Sequence, residues 1–129
     1  MSERSMRSAL GRVRHHGAGG GTEHFIGQRV SAIALMFLAT WFVLSAALTM
    51  NAPSYRAAID FITSPVNAVG VILLIAAALY HMRLGMQAIV EDYIHKPSTK
   101  IMLLLLNTLA PLALGAGAIF AVLLVNFGV

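Results

Sequence analysis

The sequence predicts an all-α integral membrane protein with three transmembrane helices, and three observations favour this fold class. Of the 129 residues, 58% are hydrophobic and only 11% are charged, whereas a soluble domain carries about 25% charged residues. The mean hydropathy is +0.79. The apolar residues are concentrated in three spans, at about 28–50, 66–93 and 101–127. Each span exceeds the roughly 20 residues with which a helix crosses the hydrocarbon core of a bilayer.

Residues 1–26 form a basic, Gly-rich tail that precedes a membrane anchor, which we assign to residues 27–129. No apolar segment of signal-peptide length with a small-residue cleavage site follows the basic residues. The Arg-rich, acid-poor composition is also typical of an organellar transit peptide, but we expect a bacterial chain with a cytoplasmic tail. His15 and His16 lie in this tail, where we expect them to be solvated.

The distribution of Lys and Arg predicts the orientation of the spans. The tail contains four arginines, the linker at 51–65 contains only Arg56, and the turn after the second span contains Lys96 and Lys100. We therefore expect the N-terminus and the second turn on the cytoplasmic (or matrix) side, and the first linker and Val129 on the other side. The net charge of +4 does not indicate nucleic-acid binding, because the basic residues flank apolar spans.

Two connections and one proline complete the predicted topology. The linker at 51–65 has turn-forming residues at both ends and a short amphipathic middle, which we expect at the membrane interface. Residues 95–100, "HKPSTK", predict a tight polar turn. Pro111 lies inside the third span and is expected to kink that helix.

His81 is an ionisable residue in the second apolar span. It lies about 18 Å from the cytoplasmic end of that helix, near the bilayer centre. Ionisable groups at this depth usually face the protein interior. Three functions suit such a histidine: an axial haem ligand, a hydrogen-bonded packing residue or a proton relay. The spacing alone leaves all three open.

The neighbours of His81 are consistent with close approach of another group. His81, Gly85, Ala88 and Asp92 follow the spacing i, i+4, i+7, i+11 and form one stripe along the helix. The small residues would admit either a porphyrin or a partner helix. Asp92 and Tyr93 end the helix at the membrane–water boundary, where a tyrosine is either an interfacial anchor or a hydrogen-bond donor to a quinone headgroup.

Two segments carry a resemblance to a known family. The first, "HMRLGMQAIVEDYI" (residues 81–94), resembles a segment of the small membrane-anchor subunit, the D subunit, of succinate dehydrogenase, respiratory complex II. The second, "EHFIGQRVSAIAL" (residues 23–35), is similar to the family's N-terminal signature. The basic tail, the three spans and the short chain also fit that family.

The resemblance implies specific functions for five residues. His81 matches the axial ligand of haem b, and therefore of its iron. Tyr93 matches the tyrosine that hydrogen-bonds ubiquinone, and Asp92 matches the aspartate beside it. Arg29 matches the arginine near the quinone and the haem propionates. His24 matches the signature histidine, whose spacing to the arginine varies among relatives.

The resemblance also implies an assembly in which this chain is non-catalytic by itself. Its partners would be a flavoprotein, an iron–sulfur protein and a second three-helix cytochrome b anchor, which would supply the other axial histidine within a multi-subunit helix bundle. The expected location is the bacterial inner membrane, with the mitochondrial inner membrane as the alternative. The rival functions are the anchor of a quinol:fumarate reductase, and a haem-free structural anchor or small transporter with His81 as a proton relay.

Three further residues received structural interpretations. Ser31 stands where Thr is common in the family, and the resemblance assigns it no function. Arg83 lies off the His81 stripe, by about 200° around the helix, and is expected to meet another subunit or a polar cavity. Trp41, in the middle of the first span, is expected to supply core or lipid-facing bulk.

Overall fold

The computed structural model describes the backbone of residues 3–128 and the side chains of residues 20–128. The described backbone forms four helices: α1 (Glu3–Thr49), α2 (Tyr55–Thr63), α3 (Pro65–Tyr93) and α4 (Pro97–Phe127). Three segments are long and apolar enough to cross a membrane: Gly20–Thr49, Pro65–Tyr93 and Pro97–Phe127. The predicted all-α, three-span fold is therefore confirmed. The interpretations of the His15 and His16 side chains and of Val129 lie outside the described residues.

Serine and proline residues set the boundaries of the shorter elements. The Ser54 side chain caps α2 by accepting a hydrogen bond from the N–H of Ala57 at 3.1 Å, as serine does at many helix N-termini. Pro65 and Pro97 begin α3 and α4, positions where the missing N–H of proline costs nothing. The connection between α3 and α4 is therefore residues 94–96, shorter than the predicted turn at 95–100.

Pro111 lies inside α4, which continues from Pro97 to Phe127. Proline cannot donate the backbone hydrogen bond that residue 111 would otherwise give to the carbonyl of Asn107. The Asn107 side chain instead reaches the neighbouring helix, where its Nδ2 donates to the carbonyl of Arg83 at 2.8 Å. Helix α4 therefore lacks one backbone hydrogen bond at Pro111 and, one turn earlier, makes a polar contact to α3 through Asn107.

Helix α3 is the centre of the bundle and runs antiparallel to both long neighbours. On the α1 side, Ser31 meets His81 and Trp41 meets Gly70, so residue numbers rise along α1 as they fall along α3. The side chain of Leu79 likewise approaches Gly115 of α4. Because α3 contacts α1, α2 and α4, its side chains have the most neighbours within the chain.

Three side-chain donors satisfy carbonyl groups at helix ends. The carbonyls of Phe61 and Ile62, in the last turn of α2, accept from Nδ2 of Asn67 and Asn126, each at 3.0 Å. Lys100 Nζ donates to the carbonyl of Glu91 at the end of α3, at 2.9 Å. Such carbonyls lack a helical partner. Lys100, which the sequence indicates as an orientation signal, therefore also caps α3.

A cluster of buried apolar residues lies at the α2 end of the bundle. Phe61, Ala68, Val71 and Val122 form a buried cluster, and Phe42 packs edge-on against Phe61 with ring centroids 5.8 Å apart. Most large apolar side chains of the described residues are exposed, among them Phe37, Leu105 and Phe120. Lipid, or other protein helices, must cover those faces.

The three-span topology predicts opposite sides of the membrane for the two connections between spans. The chain has no Cys, so single cysteines can be introduced at Ala52 and at Lys96, both exposed. In intact cells, a membrane-impermeant maleimide should label Ala52→Cys and leave Lys96→Cys unlabelled until the membrane is opened. The reverse pattern would invert the proposed orientation, and labelling of both from outside would contradict the three-span topology.

The contact between Trp41 and Gly70 predicts a steric limit on α1–α3 packing. A Cβ atom at Gly70 would collide with the Trp41 ring, whereas a Cβ at Gly117 would meet nothing within 4 Å. Gly70→Ala should destabilise the assembled protein by about 1–3 kcal/mol through overpacking. Gly117→Ala, which brings the same gain in helix propensity, should not destabilise it. Thermal melting in detergent measures both, and equal melting temperatures would disprove the close contact.

Candidate functional site

The site is centred on His81, which α3 holds deep within its span. The residue is half-buried and lies about 18 Å from Tyr93 along the helix axis. Its Nδ1 lies 2.9 Å from Oγ of Ser31 on α1, and the same hydroxyl donates to the carbonyl of Gln28 at 3.1 Å. Among the described residues, Nε2 of His81 has no hydrogen-bond partner. One ring nitrogen is therefore engaged inside the chain, and the other is available.

Helix α1 presents a polar stripe to this part of α3. His24, Gln28 and Ser31 follow the spacing i, i+4, i+7, which places them on one face of α1. Ser31 contacts His81, and Nε2 of Gln28 lies 3.5 Å from the position that a Cβ atom of Gly85 would occupy. Gly85 of α3 therefore lies beside the polar side chain of Gln28 on α1.

Three polar atoms of the described residues are buried without a hydrogen-bond partner in the chain: His24 Nε2, Gln28 Oε1 and Arg83 Nε. Burying such an atom unpaired costs about 1–3 kcal/mol. A hydrogen bond from water, a ligand or another polypeptide would therefore stabilise each of them. Two of the three belong to the α1 stripe beside His81. The stripe is therefore suited to meet a polar ligand, water or a residue of another subunit.

Arg83 itself lies on another face of α3. It lines a groove of about 510 Å³ between α3 and α4, with Tyr80, Pro111 and Gly115 among its walls. Apart from its own guanidinium, this groove is mainly apolar. The structure therefore separates Arg83 from the stripe that carries Ser31 and His81.

Asp92 and Tyr93 occupy the last positions of α3 and are both exposed, Tyr93 to 75%. Arg29 is also exposed, and its guanidinium carbon lies 5.1 Å from the centroid of the Phe25 ring. Within the described part of the chain, none of these three side chains has a hydrogen bond or an ion pair. Asp92 and Tyr93 lie at the end of the bundle opposite the apolar cluster, whereas Arg29 lies on α1 two residues before Ser31, closer to the level of His81.

The donor set fits one axial position of a haem. The described residues contain no group of three or more His, Cys, Asp or Glu side chains that could hold a bare metal ion. A haem iron needs only axial ligands from protein, because the porphyrin supplies the other nitrogens, and neutral imidazole is a common axial ligand. His81 offers one such nitrogen, Nε2.

Ser31 and Gln28 are the site residues that sequence reasoning missed. Ser31 is the buried polar residue of the described part of the chain, with 5% of its surface exposed. The missed signal was the spacing of His24, Gln28 and Ser31, which repeats on α1 the periodicity of the His81 stripe on α3. Neither stripe by itself shows that the two face each other.

The fold and the embedded histidine define a three-span membrane protein with a polar site inside its helix bundle. A family model described as "Succinate dehydrogenase/Fumarate reductase transmembrane subunit" matches residues 1–125. The chain belongs to this family. The resemblance carried by the segments at 23–35 and 81–94 is thereby confirmed at the level of the family.

Three curated relatives are named succinate dehydrogenase hydrophobic membrane anchor subunit. This chain is 31% identical over 74 residues to the protein from Rickettsia bellii, 30% to that from Rickettsia conorii and 31% to that from Rickettsia felis. Each alignment covers 57% of this chain and between 58% and 61% of the relative. The similarity therefore spans a little more than half the length of each relative.

Proposed function

We propose that this chain is the small membrane anchor of a succinate:quinone oxidoreductase and that it supplies one axial ligand to haem b. The observation that carries this proposal is the state of His81, with Nδ1 bonded to Ser31 and Nε2 available inside the membrane span. Nε2 is not among the buried unpartnered atoms of the described residues, so a group outside this chain can reach it. The family and the three similar anchor subunits support the proposal.

The residues of the site have separate tasks in this function. His81 would hold the haem through Nε2, while the hydrogen bond to Ser31 of α1 limits rotation of the imidazole ring. Haem b, when bound, supplies one-electron exchange within the membrane. The unpartnered His24 Nε2 and Gln28 Oε1 face the same part of the bundle and can bind its polar periphery or ordered water. Arg29, two residues before Ser31 on α1, would supply positive charge for a propionate or a quinone oxygen.

The exposed end of α3 is proposed to form part of a ubiquinone site. Reduction of a quinone to a quinol consumes two electrons and two protons. The Tyr93 hydroxyl can donate a hydrogen bond to a quinone carbonyl oxygen, and the Asp92 carboxylate is placed to pass protons from water. The electrons would arrive from an iron–sulfur partner, since this chain has no Cys to hold a cluster.

The exposed apolar faces of α1 and α4 support assembly with further membrane helices. A second three-helix anchor would cover part of them and provide the second axial histidine, and a flavoprotein and an iron–sulfur protein would dock on the cytoplasmic side. The bacterial inner membrane is the proposed location, as the three spans and the Rickettsia relatives fit it. Co-purification with a tagged chain, followed by identification of the other subunits, tests this assembly.

A second candidate function is proton relay through His81 without haem. The observation that favours it is the polar stripe of α1, which places two unpartnered atoms of His24 and Gln28 alongside α3. A reduced-minus-oxidised optical spectrum of the purified complex separates the candidates. A b-type band supports the haem ligand, and its absence supports the relay. The same complex assayed with succinate and with fumarate distinguishes a dehydrogenase from a fumarate reductase.

His81→Ala is expected to lower haem occupancy at least several-fold, because it removes an axial ligand that no other described side chain can replace. The measurement is the haem-to-protein ratio of the purified complex together with the reduced-minus-oxidised spectrum. His95→Ala is the matched control, since His95 is exposed in the connection between α3 and α4, and it should leave both unchanged. A normal spectrum in the His81 variant would exclude the ligand function.

Tyr93→Phe is expected to impair quinone reduction selectively. If the hydroxyl bonds a quinone oxygen, its loss costs about 1–3 kcal/mol, or roughly a 5- to 150-fold fall in kcat/KM for quinone. Succinate oxidation by an artificial acceptor upstream of the quinone should stay near normal, and the haem spectrum should not change. Tyr55→Phe, at an 84% exposed tyrosine on α2, is the control.

The two assays also distinguish a quinone function from a structural one. A parallel loss of both activities in Tyr93→Phe would indicate an assembly defect. If quinone reduction were unchanged, Tyr93 would be only an interfacial anchor.

A further inference from the structure

We propose that Ser31 is a positioning residue that selects the tautomer and the ring orientation of His81. The inference rests on the proposed function of His81 as a haem ligand and deepens it. In this proposal Ser31 Oγ accepts a hydrogen bond from Nδ1 of His81, on the opposite side of the ring from Nε2, and this bond tunes how strongly the imidazole donates electrons to iron. Neither the family match nor the similarity to other anchor subunits assigns Ser31 this function.

The argument begins with the single hydrogen of the Ser31 hydroxyl. Oγ lies 3.1 Å from the carbonyl oxygen of Gln28 and 2.9 Å from Nδ1 of His81. A carbonyl oxygen can only accept, so the hydroxyl hydrogen points to Gln28 and a lone pair of Oγ remains for His81. The shorter contact is then an Nδ1–H group of His81 that donates to Ser31.

This direction determines which nitrogen of His81 can bind iron. A neutral imidazole carries one N–H, and the other nitrogen carries the lone pair that binds a metal. With the proton held at Nδ1 by Ser31, the lone pair is at Nε2, the nitrogen without a partner among the described residues. The chain thus prepares the ligand before any group binds to it.

The position of Ser31 protects this arrangement from water. Ser31 is 5% exposed, and it is anchored to its own helix through the carbonyl of Gln28. The bond to His81 joins α1 to α3 across a separation of fifty residues in sequence. It therefore limits rotation of the imidazole about its χ angles, as other outer hydrogen bonds do for metal-ligating histidines.

The hydrogen bond from His81 to the neutral Ser31 hydroxyl is expected to shift the midpoint potential of the haem in a definite direction. A hydrogen bond from the distal N–H raises the basicity of a ligating imidazole, and a stronger donor stabilises ferric iron more than ferrous iron. Removing the acceptor should therefore raise the midpoint potential. A two- to tenfold change in the ratio of the two affinities corresponds to roughly 18–59 mV for one electron.

Ser31→Ala in the intact complex tests the proposal, with potentiometry of the haem band and electron paramagnetic resonance of the ferric haem as the measurements. The variant should raise the midpoint potential and broaden or shift the low-spin signal as the ring loses its fixed orientation. Ser31→Thr keeps the hydroxyl and should restore both properties. Loss of haem from an otherwise assembled Ser31→Ala complex, with haem retained in Ser31→Thr, also supports the proposal.

Thr40→Ala is the matched control. Thr40 lies on the same helix, and its hydroxyl donates only to a backbone carbonyl, that of Met36 at 2.7 Å. This variant removes the same kind of local bond without touching His81, so its potential and spectrum should equal those of the wild type. If Thr40→Ala and Ser31→Ala shift the potential alike, the effect comes from helix α1 and the proposal is wrong.

If the Ser31→Ala complex does not assemble, Ser31→Cys is the variant that tests the proposal. A thiol is close to a hydroxyl in size but is a weaker acceptor, so an intermediate rise of the potential is expected. A wild-type potential in Ser31→Cys, or in an assembled Ser31→Ala complex, would overturn the proposal. Failure of the haem function itself is distinguishable, because the wild-type complex would then show no b-type band, or His81→Ala would leave that band unchanged whatever the Ser31 variants do.

Discussion

The structure depends on one constraint: polar groups inside a bilayer must find partners within protein. Helices satisfy their own interior backbone groups but leave carbonyls open at their ends. Here side chains of other elements close several of them, with Asn67 and Asn126 bonding the end of α2 and Lys100 bonding the end of α3. These contacts join neighbouring elements through polar groups that would otherwise lack a partner.

The same constraint explains why the functional site lies where it does. The apolar cluster around Phe61 closes the α2 end of the bundle, whereas the opposite half contains the polar stripe of α1 facing α3. An apolar core needs nothing further, but unpaired atoms such as Gln28 Oε1 do. The unpaired polar atoms of α1 thus lie in the half of the bundle away from the apolar cluster, where the proposed haem and quinone functions are placed.

The sequence predicted much of the fold because membrane spans are encoded by length and hydropathy alone. The three spans follow from that code. The linker was predicted to have an amphipathic middle but not a helix, and α2 (Tyr55–Thr63) forms there; the described part of the basic tail belongs to α1, which begins at Glu3. The helix ends were predicted less well. Only residues 94–96 separate α3 from α4, because proline suits the first helical position and α4 begins at Pro97; residues 97–100 were expected in a turn. The pattern also indicated His81 and the Tyr93 end of α3, but it left Ser31 without a function.

By itself, therefore, the sequence determined the class of protein, the number of spans and the position of His81 along its span, since each of these follows from local composition and a fixed rise per residue. The tertiary structure decided which residues meet. The register that brings Ser31 to His81, Gln28 to Gly85 and Trp41 to Gly70 depends on how two helix surfaces pack. Helical periodicity places residues on a face of their own helix, but it cannot specify which face of another helix they will contact.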